Sequence, residues 1–127
     1  NVPTGTTADV VITVSGAWVR GGIAVHRLTG LSSSGAAEAT SASTSNTATL
    51  TLTATAGAAV VGAYFGGGDD GTPFSWTGLT EDFDTTMSAG PNGMTGASVI
   101  APGGSLAITC TPGGTVSSPA SVAASFN

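Results

Sequence analysis

Residues 49–56 alternate strictly between threonine and apolar side chains, in the order Thr-Leu-Thr-Leu-Thr-Ala-Thr-Ala. Successive side chains of a β-strand point to opposite faces, so this order places threonines on one face and apolar residues on the other. Threonine also favours strands, because its branched side chain is stiff at χ1. The segment therefore predicts a half-buried strand with the interior on its apolar side.

Other short apolar segments, separated by Gly and Pro turns, repeat this kind of signal. Residues 23–28 have little polar alternation, which is typical of a strand buried on both faces, and the apolar run at 58–65 predicts a central strand. Residues 29–45 predict a surface loop or an irregular edge, and residues 69–77 a turn-rich loop. The remaining predicted strands are 9–14, 79–85, 97–101, 106–111 and a closing segment through Val122, Ala124 and Phe126.

Short strands at this spacing predict an all-β fold, a two-layer antiparallel β-sandwich of the jelly-roll type, with an immunoglobulin-like sandwich as the alternative. A chain of 127 residues is long enough for one core. We expect residues 1–7 to be an N-terminal arm or linker and residues 8–127 to form a single domain. The abundance of Ala and Gly predicts closely spaced sheets anchored by a few aromatic residues.

Charge is scarce and negative. Arg20 and Arg27 are the only cationic residues besides His26, against seven acids, and the formal net charge is −5. Nucleic acids are bound through clustered Lys and Arg, so the sequence predicts no nucleic-acid partner. No apolar run reaches the roughly 18 residues of a membrane-spanning helix, so it predicts no membrane insertion. Cys110 is the single cysteine, which excludes an intrachain disulfide.

Five of the seven acids fall within sixteen residues: Asp69, Asp70, Glu81, Asp82 and Asp84. Converging carboxylates are the ligands that Ca²⁺ prefers, although the spacing is not that of an EF-hand. The two interpretations are a Ca²⁺ site and a solvated acidic rim, and the rim is the one we expect, with no required cofactor. Carboxylate pairs also serve glycosidases, but no nucleophile or base motif accompanies these, so we expect no catalytic residues and no enzyme.

Phe74 and Trp76 lie in a loop next to Asp69 and Asp70. An aromatic face that stacks on a sugar, beside carboxylates that accept its hydroxyl hydrogens, is a common carbohydrate platform. These four residues are the candidate ligand-binding site. The alternative is that the two aromatic side chains cap the core.

Four segments and the close at 120–126 together resemble a family of small β domains in tailed-phage structural proteins. The segments are Ala-Asp-Val-Val-Ile-Thr-Val-Ser-Gly (8–16), Arg-Gly-Gly-Ile-Ala-Val-His-Arg-Leu-Thr-Gly (20–30), Ala-Ala-Val-Val-Gly-Ala-Tyr-Phe-Gly (58–66) and Trp-Thr-Gly-Leu-Thr-Glu-Asp-Phe-Asp (76–84). The resemblance spans nearly the whole chain. It implies a jelly-roll module of a fibre, a spike or a capsid decoration, with no diagnostic catalytic residue.

The resemblance implies a non-enzymatic structural protein at the virion surface that acts by assembly and attachment. Its expected partners are further copies of itself in a homo-oligomer, other virion proteins and a host-surface glycan. The alternative is a secreted bacterial glycan-binding or surface-filament module at the cell surface.

Overall fold

Eight β-strands form two sheets in the computed structural model, which describes residues 11, 13, 15–17, 22–32, 36, 38–42, 46–68, 73–87 and 92–127. The strands are β1 (Glu38–Ala42), β2 (Ala48–Ala54), β3 (Ala59–Gly67), β4 (Phe74–Thr77), β5 (Thr80–Thr86), β6 (Asn92–Ile100), β7 (Gly104–Pro112) and β8 (Ser117–Phe126). The larger sheet has the order β1-β8-β3-β6-β5, and the smaller has β2-β7-β4. All neighbours pair antiparallel. The predicted all-β antiparallel sandwich is confirmed.

The strand order is that of a jelly roll except at β5. Strands β1, β8, β3 and β6 share one sheet and β2, β7 and β4 the other, so the chain changes sheet at almost every connection. In a regular jelly roll the fifth strand extends the smaller sheet next to β4. Here β5 pairs with β6 at the edge of the larger sheet. The order is not that of the immunoglobulin-like alternative.

The smaller sheet has one buried and one exposed face. In β2, Ala48, Leu50, Leu52 and Ala54 are buried, and the threonines between them are exposed. The strand predicted from the threonine alternation is therefore confirmed, in its position and in the face that it buries.

The apolar run at 58–65 forms β3, the central strand of the larger sheet. Val60 and Tyr64 face the interior and are almost fully buried. The residues that alternate with them on the outer face are only half-buried. The predicted central strand is confirmed, with complete burial on its inner side only.

Residues 22–31, which we call the strap, lie on the outer face of the larger sheet. Gly22 lies against the side chains of Met87 and Met94, and Ser32, just after the strap, donates its N–H to the carbonyl of Asn127 at 2.7 Å. The strap is not part of a strand, so the prediction of a doubly buried strand at 23–28 was wrong. It lies on top of a sheet, so only alternate side chains are covered, while Ile23 and Val25 are exposed.

Three other boundaries differ from the predictions. The segment 29–45, predicted as a surface loop or an irregular edge, contains the edge strand β1, the expected loop at 69–77 ends in β4, and β6 begins at Asn92 instead of at the predicted residue 97. In the closing strand, Ser121, Ala123 and Ser125 face inward, and Val122 is 47% exposed. Residues 1–7, Trp18 and most of residues 9–14 lie outside the described part.

The indole of Trp76 packs against two buried clusters. One contains Leu50, Leu52, Val60 and Ile108, and the other contains Tyr64, Phe74 and Cys110. Gly62 provides the space for this, since a Cβ there would lie 2.7 Å from Leu79 Cδ1 and 3.3 Å from Trp76 Cζ3. A larger residue at position 62 would push the two sheets apart. The described residues contain no helix long and apolar enough to cross a membrane.

We expect Gly62→Val to lower the free energy of unfolding by about 1–3 kcal/mol, because it overpacks the contact with Trp76 and Leu79. Ala63→Val is the matched control, since position 63 lies on the half-buried outer face of the same strand. Urea denaturation measures both. Equal losses in the two variants would contradict the assigned role of Gly62.

Candidate functional site

A β-bulge in β5 divides the acidic residues between two faces of the larger sheet. Glu81 pairs with Ala97 and Phe83 with Gly96, which leaves Asp82 without an opposite residue. The extra residue interrupts the alternation of side chains. Asp82 and Phe83 both lie on the outer face, where Phe83 packs over Gly96, whereas Asp84 reaches inward toward β4.

Asp82 fixes the strap to the sheet. Its Oδ1 accepts a hydrogen bond from the Ser98 hydroxyl at 3.0 Å, and its Oδ2 lies 3.8 Å from Nδ1 of His26. A groove of about 220 Å³ opens next to this pair, between the strap and the ends of β3 and β6. Ser98 donates to Asp82 and is not oriented by the histidine, so the three side chains are not arranged as a nucleophile, base and acid.

Asp84 connects the two sheets, because it lies on β5 of the larger sheet and bonds to β4 of the smaller one. Its Oδ2 accepts a hydrogen bond from the backbone N–H of Phe74 at 3.1 Å. Its Oδ1 is buried without a hydrogen-bond partner. Burial, and then the negative charge of Asp84, raise the pKa of Glu81.

The described carboxylates do not converge on a metal position. In the part of the chain that the structure describes, no three His, Cys, Asp or Glu side chains are placed to share an ion. Of the five residues considered for Ca²⁺, Asp82 and Asp84 reach opposite sides of the sheet. Asp69 and Asp70 lie outside the described residues.

The two aromatic residues of the candidate sugar platform are parts of the core. Phe74 is 5% exposed, and its ring lies 5.5 Å from that of Tyr64. Trp76 is half-buried and donates its Nε1–H to the Thr95 hydroxyl at 3.0 Å, which in turn donates to the carbonyl of Phe83 at 2.8 Å. Trp76→Ala would therefore damage the fold and is unsuitable as a test of sugar binding.

Asn46 joins two loops at one end of the sandwich, a role that no pattern in the sequence predicts. Its carbonyl accepts the hydroxyl hydrogen of Tyr64 at 2.6 Å. Its side chain accepts the N–H of Val116 at 2.7 Å and donates to the carbonyl of Gly114 at 3.2 Å. In the sequence, an asparagine in a Ser/Thr-rich segment cannot be told from other polar residues, because its partners Gly114 and Val116 lie far along the chain.

Cys110 is a core residue. It is 1% exposed, and burial raises the pKa of its thiol to about 12, with further contributions from Glu81 and Asp84. A thiol that stays protonated is a poor nucleophile. Burial also raises the pKa of the neighbouring Tyr64 to about 12.

The outer face of the smaller sheet, which we call the hydroxyl face, is lined mainly by Ser and Thr side chains. Thr49 lies opposite Thr109, with their hydroxyl oxygens 3.4 Å apart, and Ser75 donates its hydroxyl hydrogen to the carbonyl of Thr111 at 3.2 Å. Among the residues that the structure places on this face, none has a charged side chain. Its residues are Thr49, Thr51 and Thr53 on β2, Ser105, Ala107, Thr109 and Thr111 on β7, and Ser75 and Thr77 on β4.

No protein-family profile, no curated protein and no solved structure matches this chain.

We expect Asp84→Ala to lower the free energy of unfolding by about 1–3 kcal/mol, because the largely buried N–H of Phe74 loses its acceptor. Asp84→Asn is the control, since its amide oxygen can still accept that hydrogen bond. Urea denaturation measures the free energy of unfolding of the two variants. If they lose the same stability, the hydrogen bond to Phe74 is not what Asp84 contributes.

Alkaline pH should destabilise the fold through Cys110. The unfolded thiol loses its proton near the ordinary pKa of 9.0, whereas the folded one keeps it to about 12. The unfolded chain then binds fewer protons, so the free energy of unfolding falls as the pH rises through this interval.

Cys110→Ala should flatten that slope around pH 9, the ordinary pKa of the thiol, because Tyr64, with an ordinary pKa of 10.0, contributes little there. Denaturation curves at closely spaced pH values measure the slope. A slope that is unchanged in Cys110→Ala would contradict the assigned environment of the thiol.

Proposed function

We propose that this domain is a non-enzymatic structural module that acts by assembly, and that its setting is the surface of a tailed-phage virion. The observation that carries the assembly function is the hydroxyl face, an uncharged, regular surface on a chain whose net charge is −5. The virion setting comes from the sequence resemblance. Further copies of the chain and other virion proteins are the proposed partners.

Three chemically versatile side chains among the described residues support this proposal, because each makes structural contacts. Asp82 holds the strap, Asp84 bonds to the backbone of Phe74, and Cys110 is a buried, protonated thiol. None of these groups is presented to a substrate in the arrangement that hydrolysis would need.

The same geometry gives less support to the glycan-binding alternative. A sugar platform needs an exposed aromatic face. The ring of Phe74 is buried, and the indole of Trp76 packs against the core. Contact with a host glycan remains part of the proposal only as a property of the assembled particle, where many weak contacts add up.

Electron microscopy of particles from the source culture, labelled with antibody fragments against the folded domain, tests the proposal. We expect label at regular positions on phage heads or tails. Fragments preincubated with the purified domain are the control and should give no label. Label confined to cells or to cell-derived filaments would contradict the virion setting and favour the secreted alternative.

A further inference from the structure

Within the described residues, the sandwich has four edge strands, β1 and β5 in the larger sheet and β2 and β4 in the smaller. An edge strand presents backbone N–H and C=O groups on which another chain can add a strand. Soluble proteins usually protect such edges with charge, proline, bulges or short length. The presence or absence of these features on each edge strand therefore indicates whether a strand of another chain can pair with it.

Three of the four edges are protected. Strand β5 contains Glu81, Asp82 and Asp84 and is bent by the bulge. Strand β4 has only four residues, follows Pro73, and has the N–H of Phe74 bonded to Asp84. Strand β1 has five residues and begins with Glu38. Each of these features opposes pairing with a further strand.

Strand β2 has none of these protections. It has seven residues, Ala48–Ala54, without a charged residue or a proline, and its register against β7 is continuous. In the part of the chain that the structure describes, β7 is its single ladder partner. A long, regular and uncharged edge is the kind that pairs with another chain.

We propose that β2 pairs antiparallel with β2 of a second copy of this chain, which joins two smaller sheets into one six-stranded sheet. The inference rests on the proposed assembly function, for which it names the surface and the partner. Only the register centred on Thr51 pairs all seven residues of each strand. It places Thr51 opposite Thr51 of the second copy on the joined hydroxyl faces, and leucines opposite leucines toward the interior.

Charge favours the β2 edge over the β5 edge. Each copy has a net charge of −5, so two copies repel unless their acids stay apart. A pair of β5 edges would bring six carboxylates together, whereas a pair of β2 edges brings none. Salt screens the remaining repulsion between exposed charges, so association should strengthen as ionic strength rises.

The decisive test is a single cysteine on the twofold axis. Opposite residues of an antiparallel pair have Cβ atoms about 4.5–5.5 Å apart, which is close enough for a disulfide after a small adjustment. We expect Thr51→Cys to form a disulfide-linked dimer under mild oxidation. Thr77→Cys, on the same face but at the opposite edge, is the control and should remain monomeric on non-reducing gels.

Thr51→Lys gives a second readout that needs no oxidation. It places two ammonium groups opposite each other, and we expect association to weaken on the order of tenfold by analytical ultracentrifugation. Thr77→Lys should associate like the unmodified chain. An edge lysine is well tolerated in folded sheets, and circular dichroism checks that both variants fold.

The two proposals fail separately. A monomeric unmodified chain, or equal crosslinking of Thr51→Cys and Thr77→Cys, would overturn the β2 interface even if the antibody fragments label virions. Crosslinking specific to Thr51→Cys together with label confined to cells would support the interface and remove its virion setting.

Discussion

The hydrogen bond from Trp76 to Thr95 joins the two sheets, and the indole that makes it packs against both clusters of the core. The indole extends from β4 in the smaller sheet to β6 in the larger one. There the Thr95 hydroxyl accepts the hydrogen bond from the indole and donates one to the carbonyl of Phe83. This reach is possible because Gly62 leaves the facing position of β3 empty. A buried polar group without a partner costs more free energy than its hydrogen bond contributes, so Thr95 and Trp76 depend on each other's position.

The bulge at Asp82 links this interior to the outer surface. Without the extra residue, Asp82 and Asp84 would lie on the same face of β5. With it, Asp82 reaches the strap and Asp84 reaches the backbone of β4. One irregularity thus supplies a contact on each side of the larger sheet. It also turns β5 into an unsuitable edge for a further strand, so the same residue that fixes the strap restricts assembly to other edges.

The sequence predicted the elements whose side chains alternate with a clear period. The threonine row of β2 and the apolar run of β3 were assigned correctly, because each pattern reflects burial against the opposite sheet. The strap was mistaken for a strand, because an extended segment lying on a sheet has the same apolar composition as a strand within it. The bulge carried no visible signal, since it depends on how β5 meets β6.

The candidate site was harder to predict than the fold for a related reason. Nearness in sequence suggested that Asp82 and Asp84 converge, but their direction is set by the register of a strand pair, which composition does not reveal. The loop holding Phe74 and Trp76 seemed suited to a ligand because aromatic residues next to acids occur in many sugar sites. Burial of Phe74 at 5% exposure places it in the core instead.

The shortage of large apolar residues connects the interior with assembly. Ala, Gly, Ser and Thr bury little apolar area per residue, while every residue loses backbone entropy on folding and Gly loses the most. A sandwich built from them has a small margin of stability. Adding strands at an unprotected edge satisfies further backbone groups and stabilises the folded state by mass action. The proposed pairing at the β2 edge would therefore let a chain of this composition gain stability from a second copy.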